Sequence, residues 1–562
     1  MRISSLVRAG SRLLGRLPHG RQLSTAASAR DSLEFDVVVV GGGPAGLSTA
    51  IRLKQRRPEV SVCLIEKGAE IGAHTLSGNV FDPRALDELV PDWRSRDNVP
   101  VETPVNKDQF WYLGTPTKKL SIPILPPALH NHGNYVISLG RFVRWLGEYA
   151  EQIGVEVYPG FAANEVLYND KGAVIGVATK DVGIDRSGQQ RSSFQPGMEL
   201  RSSQTVFAEG ACGSLTEAVV KKFDLRSSCD PQTYSIGLKE LWRVDSDQHR
   251  KGLVTHTVGW PLPNEVYGGS FIYHMQPDLV EIGFVVGLDY KNPYTNPYEL
   301  FQRFKHHDAV RRMLEGGTPL EYGARVISSG GFQSIPKLSV PGGILVGCAA
   351  GFLNVPRIKG THTAMKSGML AADSIVEKLE SNESVAQIEL KDYDELVRNS
   401  WIWSELKQVR NVKPSFKMFG GLFGGMLYSG VDLMLLKGRT PWTFHNTTTD
   451  ADTTEFADKF APNQEPFKPD NKISFDLLTN LQRSGVRHEE DQPIHLRLRE
   501  GISEEFPVET SLRKYAGPEQ YFCPAKVYEY VSDDKGKEKL QINAANCVHL
   551  PEGGGGPTYS NM

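Results

Sequence analysis

Phe35–Val40 reads FDVVVV, an unbroken β-branched run that predicts a strand buried on both faces of a parallel sheet. It runs directly into Gly41-Gly42-Gly43-Pro44-Ala45-Gly46, and LSTAIRLKQ then takes up helical spacing. A second apolar strand, VSVCLIE, ends on Glu66, 20 residues after Gly46. Further along, SLGRFVRWLGEYA predicts a helix carrying Arg141 and VEVYPG a short strand. Thr205–Ala208 forms another strand leading into Gly210-Ala211-Cys212-Gly213. A third strand–turn–helix passes through Gly347–Gly351 into a long helix from about Gly360. The strands and helices alternate in the order of a doubly wound α/β domain assembled from separated segments.

The first turn is G-x-G-x-x-G between strand and helix. Gly41 permits the tight turn, Gly43 lets backbone approach a pyrophosphate, and Gly46 lets helix and strand pack closely. Phosphate at the helix start meets free amides and the positive end of the dipole, and Glu66 stands where a carboxylate accepts ribose hydroxyls. The spacing predicts a dinucleotide. The later segments favour FAD, with Arg141 near the pyrophosphate and Gly210, Gly347 and Gly351 in the returning turns. Their order resembles the glutathione-reductase-like FAD domains, whose usual acid in the last turn is here Cys348. No second G-x-G-x-x-G follows a strand, so the sequence predicts no separate NAD(P)H domain.

Two apolar stretches stand apart from this pattern. Phe416–Leu436 holds 14 uncharged residues between Lys417 and Asp432, about 21 Å as a helix, too short for a hydrocarbon core of about 30 Å. It predicts a helix lying in one leaflet, flanked by Lys413, Lys417, Lys437 and Arg439 with Trp442 near the headgroups; a buried core helix is the alternative. Trp111–Leu129, broken by prolines and by Lys118-Lys119, reads as a hairpin dipping into lipid or as an ordinary loop.

Composition narrows the class. Sixty-three basic residues against 66 acidic ones give a net charge of −3, which argues against a nucleic-acid binder. Six cysteines in 562 residues exclude a disulfide scaffold. Residues 1–30 carry six arginines and no acid, the pattern of a mitochondrial transit peptide; without it the balance is 57 against 66, about −9. The histidines show no H-E-x-x-H spacing, so zinc catalysis is not expected, and no catalytic acid, base or nucleophile is nominated. The charged run 487–492 reads as a solvated face. Near the C-terminus, Cys523-Pro524 and Cys547 are half of the four thiolates that a cubane cluster takes; two buried thiols are the other reading.

Taken together, VVVVGGGPAGLS, IGAHTLSG, TVGWP…YGGSF, GFLNVPRIKGTHTAMKSG, PEQYFCP, QINAANC and PEGGGGP resemble the electron transfer flavoprotein–ubiquinone oxidoreductase family from about Asp36 to Met562. The resemblance implies an α/β fold with a discontinuous glutathione-reductase-like FAD domain (31–225 and 325–400, with 111–129 touching the membrane). It further implies a quinone-binding α+β domain (226–324), a membrane-surface helix region (401–440) and a ferredoxin-like iron–sulfur domain (441–562), all held monotopically on the matrix face of the mitochondrial inner membrane. The implied partners are electron transfer flavoprotein, ubiquinone and the membrane surface, and the implied cofactors are FAD and one [4Fe–4S] cluster. Gly41, Gly43, Gly46 and Glu66 match the family's FAD fingerprint, Gly268 and Gly269 its quinone contacts, and Cys523 and Cys547 two of its four cluster ligands. The family pattern continues C-x-x-C-x-x-C from Cys547, whereas this chain passes through Leu550 to Pro551, so two ligands are missing and a normal [4Fe–4S] cubane is not expected. The alternative activities are an FAD-loaded chain uncoupled from its donor, or a flavin monooxygenase or geranylgeranyl-reductase-like enzyme.

Overall fold

The computed structural model describes residues 30–562 apart from 77–78, 382–383, 463–465, 486–490, 494–495, 499–500, 549–557 and 560–562. The basic N-terminal segment, His549 and the PEGGGGP run lie outside the described residues, as does most of 487–492.

The β-branched run forms the strand Ser32–Val40, whose Val37, Val38 and Val39 are fully buried. It pairs in parallel with Val62–Glu66 on one side and Glu199–Phe207 on the other, and Gly343–Leu345 joins the latter in parallel. Eight strands make up this nucleotide sheet. The helices Pro44–Arg56 and Thr361–Glu380 pack together against it. A Cβ on Gly368 would run into the Ala45 carbonyl and lie 2.7 Å from Thr49 Oγ1, so glycine sets the close approach of the two helices.

A second sheet of seven strands runs in the spatial order Thr318–Ser328, Tyr234–Arg243, Leu279–Gly287, Gly268–Met275, Leu253–Gly259, Lys107–Leu113 and Lys119–Ser121. Its residues alternate between two packed faces, as a strand's period of two requires. Phe271, Tyr273 and Val285 pack toward Val80 and Val136 of the nucleotide domain. Ile236, Trp242, Ile272 and Phe284 pack toward the helices Pro297–Lys305 and Asp308–Leu314 and toward the C-terminal segment with Cys523 and Cys547.

Phe416–Leu436 is not one helix. It breaks into the end of Val412–Met418 and the whole of Leu422–Met434. Gly420 and Gly421 between them have φ of +75° and +103°, a left-handed turn that glycine adopts without steric cost. Lys413 is not a headgroup flank either. It is buried, donating to Thr233 Oγ1 at 2.7 Å and Ser329 Oγ at 3.0 Å. The segment Trp111–Leu129 contributes the paired strands Lys107–Leu113 and Lys119–Ser121, ending on a short turn, Pro127–Leu129. Among the described residues, no helix is long and apolar enough to cross a membrane.

Candidate functional site: a dinucleotide cavity joined to an apolar face

The strands of the nucleotide sheet end in a cavity of about 440 Å³. Its walls begin where the parallel strands stop, at Val40-Gly41, Ile65-Glu66 and Ala208-Glu209, the usual ligand position in open α/β sheets. Gly43 caps the helix Pro44–Arg56 in extended conformation without a side-chain hydrogen bond, so the first amides of the helix have no side-chain acceptor there. A Cβ built on Gly43 meets nothing within 4 Å, and the same holds for Gly210 at φ +89°. Both glycines leave room for a ligand against the backbone. Gly46 does a different job: a Cβ there would collide with the Gly41 carbonyl and come within 3.0 Å of Val39, so it sets helix-on-strand packing.

Glu66 closes the adjoining wall and accepts from the Gly42 amide at 2.9 Å and the Gly68 amide at 2.7 Å. Glu209 anchors the next turn through the Leu215 amide (3.2 Å), the Thr216 amide (2.6 Å) and the Thr216 hydroxyl (2.6 Å); burial raises its pKa. Cys212 and Cys348 line the same space, and burial raises both thiols, keeping them neutral. An uncapped helix start, two glycines facing open volume and a carboxylate at the second strand's end fit the phosphates and ribose of FAD.

The other predicted residues fall outside the lining. Gly347 (φ +62°) and Gly351 (φ +82°) shape the turn around Cys348, and a Cβ on Gly347 would come 2.8 Å from that of Ala45. Arg141 lies on the exposed face of its helix, 61 % exposed, and its guanidinium pairs with Glu102 at 3.3 Å. Its helix turns Phe142, Val143 and Leu146 to the core instead.

Sequence reasoning missed the wall supplied by the second sheet. Lys239, Arg325, Val326 and Ile327 line the cavity together with His74. Arg325 donates to the carbonyl of His74 and, at 3.4 Å, to that of Val548 beside Cys547. His74 and Arg325 are 251 positions apart, and no local pattern signals such a pairing.

Two adjoining rungs of the second sheet link this wall to a distant surface. Arg325 lies opposite Gly237, Gly237 opposite Val285, and Val285 opposite Gly269. One position on, Ser270 faces Thr257, Thr257 faces Trp111, and Trp111 faces Ser121. Gly268 and Gly269 therefore start a central strand between the cavity and the far hairpin. The crowding of neighbouring strands requires glycine at both: a Cβ would strike the Val285 carbonyl at Gly268 and the Thr257 carbonyl at Gly269.

Beyond that hairpin the surface is apolar. Leu120 and Ile124 are exposed there, as are Phe423, Leu427, Val431 and Leu435 on the helix Leu422–Met434 and just past it. Tyr112 and Phe423 bring the two segments together with ring centroids 5.6 Å apart, and Tyr267, next to Gly268, packs edge-on against Phe416 at 4.9 Å. Leu427 and Leu435 are each 74 % exposed. Exposed side chains of this size, gathered on one face, mark an interaction surface.

Cys523 and Cys547 are buried in one core cluster. The Val527 amide donates to Cys523 Sγ at 3.5 Å, and Tyr322 on the edge strand donates to the Pro524 carbonyl at 2.9 Å. The other four cysteines lie elsewhere: Cys63 in the nucleotide sheet, Cys212 and Cys348 in the cavity wall, and Cys229 after the helix Ser214–Lys222. Among the described residues, no three His, Cys, Asp or Glu side chains converge as a metal site. Two thiols do not fit a four-thiolate cubane.

Comparison with known proteins follows the same division. A family model described as FAD dependent oxidoreductase matches residues 36–80. One described as ETF-QO, ubiquinone-binding, matches 234–327, the span of the second sheet from Tyr234 to its edge strand. A third, electron transfer flavoprotein-ubiquinone oxidoreductase, 4Fe-4S, matches 471–551. Among solved structures, a geranylgeranyl bacteriochlorophyll reductase-like protein of Thermoplasma acidophilum aligns with a TM-score of 0.50 and 18 % identity, over 75 % of this chain and 90 % of that one, a likeness of fold alone. The human mitochondrial electron transfer flavoprotein-ubiquinone oxidoreductase is 50 % identical over 94 % of this chain and 89 % of its own length. The Arabidopsis thaliana protein of the same name is 49 % identical over 98 % and 88 %. With half the residues shared across nearly the whole of both chains, this chain belongs to the electron transfer flavoprotein–ubiquinone oxidoreductase family.

Proposed function

We propose that the chain takes electrons from reduced electron transfer flavoprotein and passes them to ubiquinone on the matrix face of the mitochondrial inner membrane. Ubiquinone gains two electrons and two protons and leaves as ubiquinol. The carrying observation is the pair of adjoining cross-sheet rungs, which together have the dinucleotide cavity at one edge and the apolar hairpin at the other. FAD, when bound, supplies the exchange between single electrons and pairs.

The chain's own residues hold and shield. Gly41, its own amide given to the Ile65 carbonyl at 2.9 Å, makes the tight turn; Gly43 and the helix start offer amides to the pyrophosphate, Gly46 keeps that helix close, and Glu66 takes the ribose. Gly210 leaves room for the cofactor's middle portion, with Gly347 and Gly351 shaping the turn that faces it. Arg325 and Lys239 put positive charge on the wall of the second sheet. Gly268 and Gly269 stand between cavity and lipid, where a quinone ring arrives from the apolar side. The exposed leucines and phenylalanines sink into one leaflet, since the tail of the acceptor is insoluble in water. The names of the relatives support a mitochondrial address.

The test is an anaerobic assay of the full chain with reduced electron transfer flavoprotein and a short-chain ubiquinone. Ubiquinol formation by material holding about one FAD per chain is the expected result. Flavin reduction by NAD(P)H with indifference to quinone would overturn the proposal in favour of a monooxygenase- or reductase-like activity. A second reading, an FAD-loaded chain uncoupled from its protein donor, is favoured by the lone pair Cys523 and Cys547. Iron and sulfide analysis with low-temperature EPR separates the two. Fewer than four irons per chain, with an artificial donor still supporting quinone reduction, would establish the uncoupled form.

A further inference from the structure

Beside the apolar face lies an open cleft of about 800 Å³. It is walled by Asp82 and Arg84, the turn at Pro127, the end of the helix Trp401–Gln408, and the segment Lys437–Thr440. From its position and charge we infer that this cleft takes the phosphate headgroup of an anionic phospholipid. The inference rests on the membrane-facing reading of the apolar face above.

Charge is the first argument. Six cationic side chains line the cleft against two acids, Asp82 and Glu405, in a chain whose net charge is −3. Two of the cations are already committed to those acids. Arg84 holds Asp82 at 2.9 Å and Glu405 at 2.5 Å and lies over the Trp401 ring at 4.4 Å. Arg357 sits 3.8 and 3.7 Å from the same two carboxylates.

A third cation is structural. Arg410 is buried and donates to the carbonyls of Gly438 (2.8 Å), Thr440 (2.6 Å) and Trp442 (3.0 Å), fixing the loop that forms one wall. That leaves Lys407, Lys437 and Arg439, all exposed, each lining the cleft and, among the described residues, paired with no acid. A phosphate monoanion or diester is the complement of such a triad.

Continuity with the apolar face decides which phosphate. Leu435 and Leu436, exposed by 74 % and 41 %, run straight into Lys437, and Trp442, 45 % exposed, follows the loop. Lys437 at φ +54° and Gly438 at φ +67° turn the chain from that face into the cleft. Leu129, the last residue of the turn whose Pro127 and Ala128 line the cleft, packs on Val409, Val412 and Leu433 beneath the same helices. Leucines in the acyl region therefore set the three cations at headgroup depth, where long basic side chains and tryptophan are favoured.

The experiment is sedimentation of the full chain with vesicles of pure phosphatidylcholine and with vesicles containing one-fifth phosphatidylglycerol, at low salt. Wild-type protein is expected to bind both, the anionic vesicles more tightly. The triple variant K407Q/K437Q/R439Q should lose on the order of 100-fold on anionic vesicles and keep its binding to neutral ones. A control, K535Q/K537Q/K539Q, removes equal charge from the hairpin Tyr528–Ile542, none of which lines the cleft, and should behave as wild type. Equal losses in the two triple variants, or no gain from phosphatidylglycerol, would overturn the inference. Displacement by millimolar inorganic phosphate beyond that by chloride of equal ionic strength would assign the cleft to a free anion and also overturn it. Failure of wild-type protein to bind neutral vesicles would instead refute the membrane-facing reading beneath it.

Discussion

Gly43→Ala separates a glycine kept for a ligand from one kept for the fold. At φ −80° and ψ −179° the Gly43 backbone is open to any residue, and a Cβ there meets no protein atom within 4 Å. Alanine narrows the unfolded ensemble, worth about 0.4–1 kcal/mol, while the weaker preference of alanine for a helix start offsets a similar amount. The apoprotein should therefore melt within a few degrees of wild type. The cofactor should respond far more, because the methyl group occupies the volume through which a pyrophosphate reaches the helix amides. Losing one hydrogen bond to a charged group costs about 1.5–3 kcal/mol, roughly 10- to 150-fold in Kd. Gly46→Ala is the counterpart. Its Cβ would collide with the Gly41 carbonyl, and overpacking of this kind costs about 1–3 kcal/mol or more, so the apoprotein itself should melt earlier. Thermal melting of flavin-stripped protein and FAD titration by flavin fluorescence quenching give both quantities. Unchanged FAD affinity in Gly43→Ala, or an apoprotein as damaged as that of Gly46→Ala, would refute the assignment of Gly43 to the phosphate.

Three further outcomes follow from the same structure. Leu427→Glu and Leu435→Glu alter side chains 74 % exposed, so melting should barely move, while partition onto neutral vesicles falls by about 1.5–3 kcal/mol for each leucine lost from lipid; co-sedimentation measures this. Lys305→Met strips Glu240 of its buried partner, held at 2.8 and 2.9 Å with both side chains inaccessible, and should destabilise by about 3–5 kcal/mol in a urea titration, with Glu240→Gln added in the same chain recovering part of the loss. Burial, with help from Asp289 and against Lys413, pushes the Asp450 carboxyl up to about 7. The folded state then holds a proton that the unfolded chain releases near pH 4, so this residue's contribution is complete below pH 4 and drains away as pH rises to 7, by up to about 1.4 kcal/mol per unit. Asp450→Asn should flatten that slope and raise the melting temperature at pH 8 relative to wild type.

The parts of the fold carried by contiguous residues were readable from sequence. The strand–glycine–helix turn, Glu66 at the end of its strand, the turns at Gly210 and Gly347–Gly351 and the helix beyond Gly360 stand where their local patterns put them. The apolar segment was legible in composition and not in shape, since Gly420 and Gly421 turn it into two helices. Its neighbour Lys413 looked like a headgroup contact because flanking charge is visible in one dimension and burial is not. Arg141 shows the same limit: helical spacing predicts the helix, but which side faces a ligand depends on what Phe142, Val143 and Leu146 pack against. Arg325, Lys239 and His74 left no trace, because a wall made by one sheet for a cavity in another depends on inter-strand register set by tertiary packing. The shortage of cluster ligands, by contrast, was arithmetic on cysteines, and the structure adds only that the four elsewhere are committed to other elements.

The register of the second sheet also explains why glycine recurs between the two surfaces. Directly opposed residues in neighbouring strands point to the same face, so Arg325, Gly237, Val285 and Gly269 share the side on which Arg325 meets the cavity. Two of the four have no side chain. That face is consequently low along the rung, with Val285 alone standing up between the cavity wall and the strand of Gly269. Neighbouring strands lie about 4.8 Å apart, which places Gly269 about 14 Å from Arg325 along a covalently braced, hydrogen-bonded path. A loop could offer the same distance but not the same constancy. A sheet fixes its strand spacing regardless of what binds at either edge, and a relay between a held cofactor and an acceptor arriving from lipid needs that separation to stay constant while the membrane side yields.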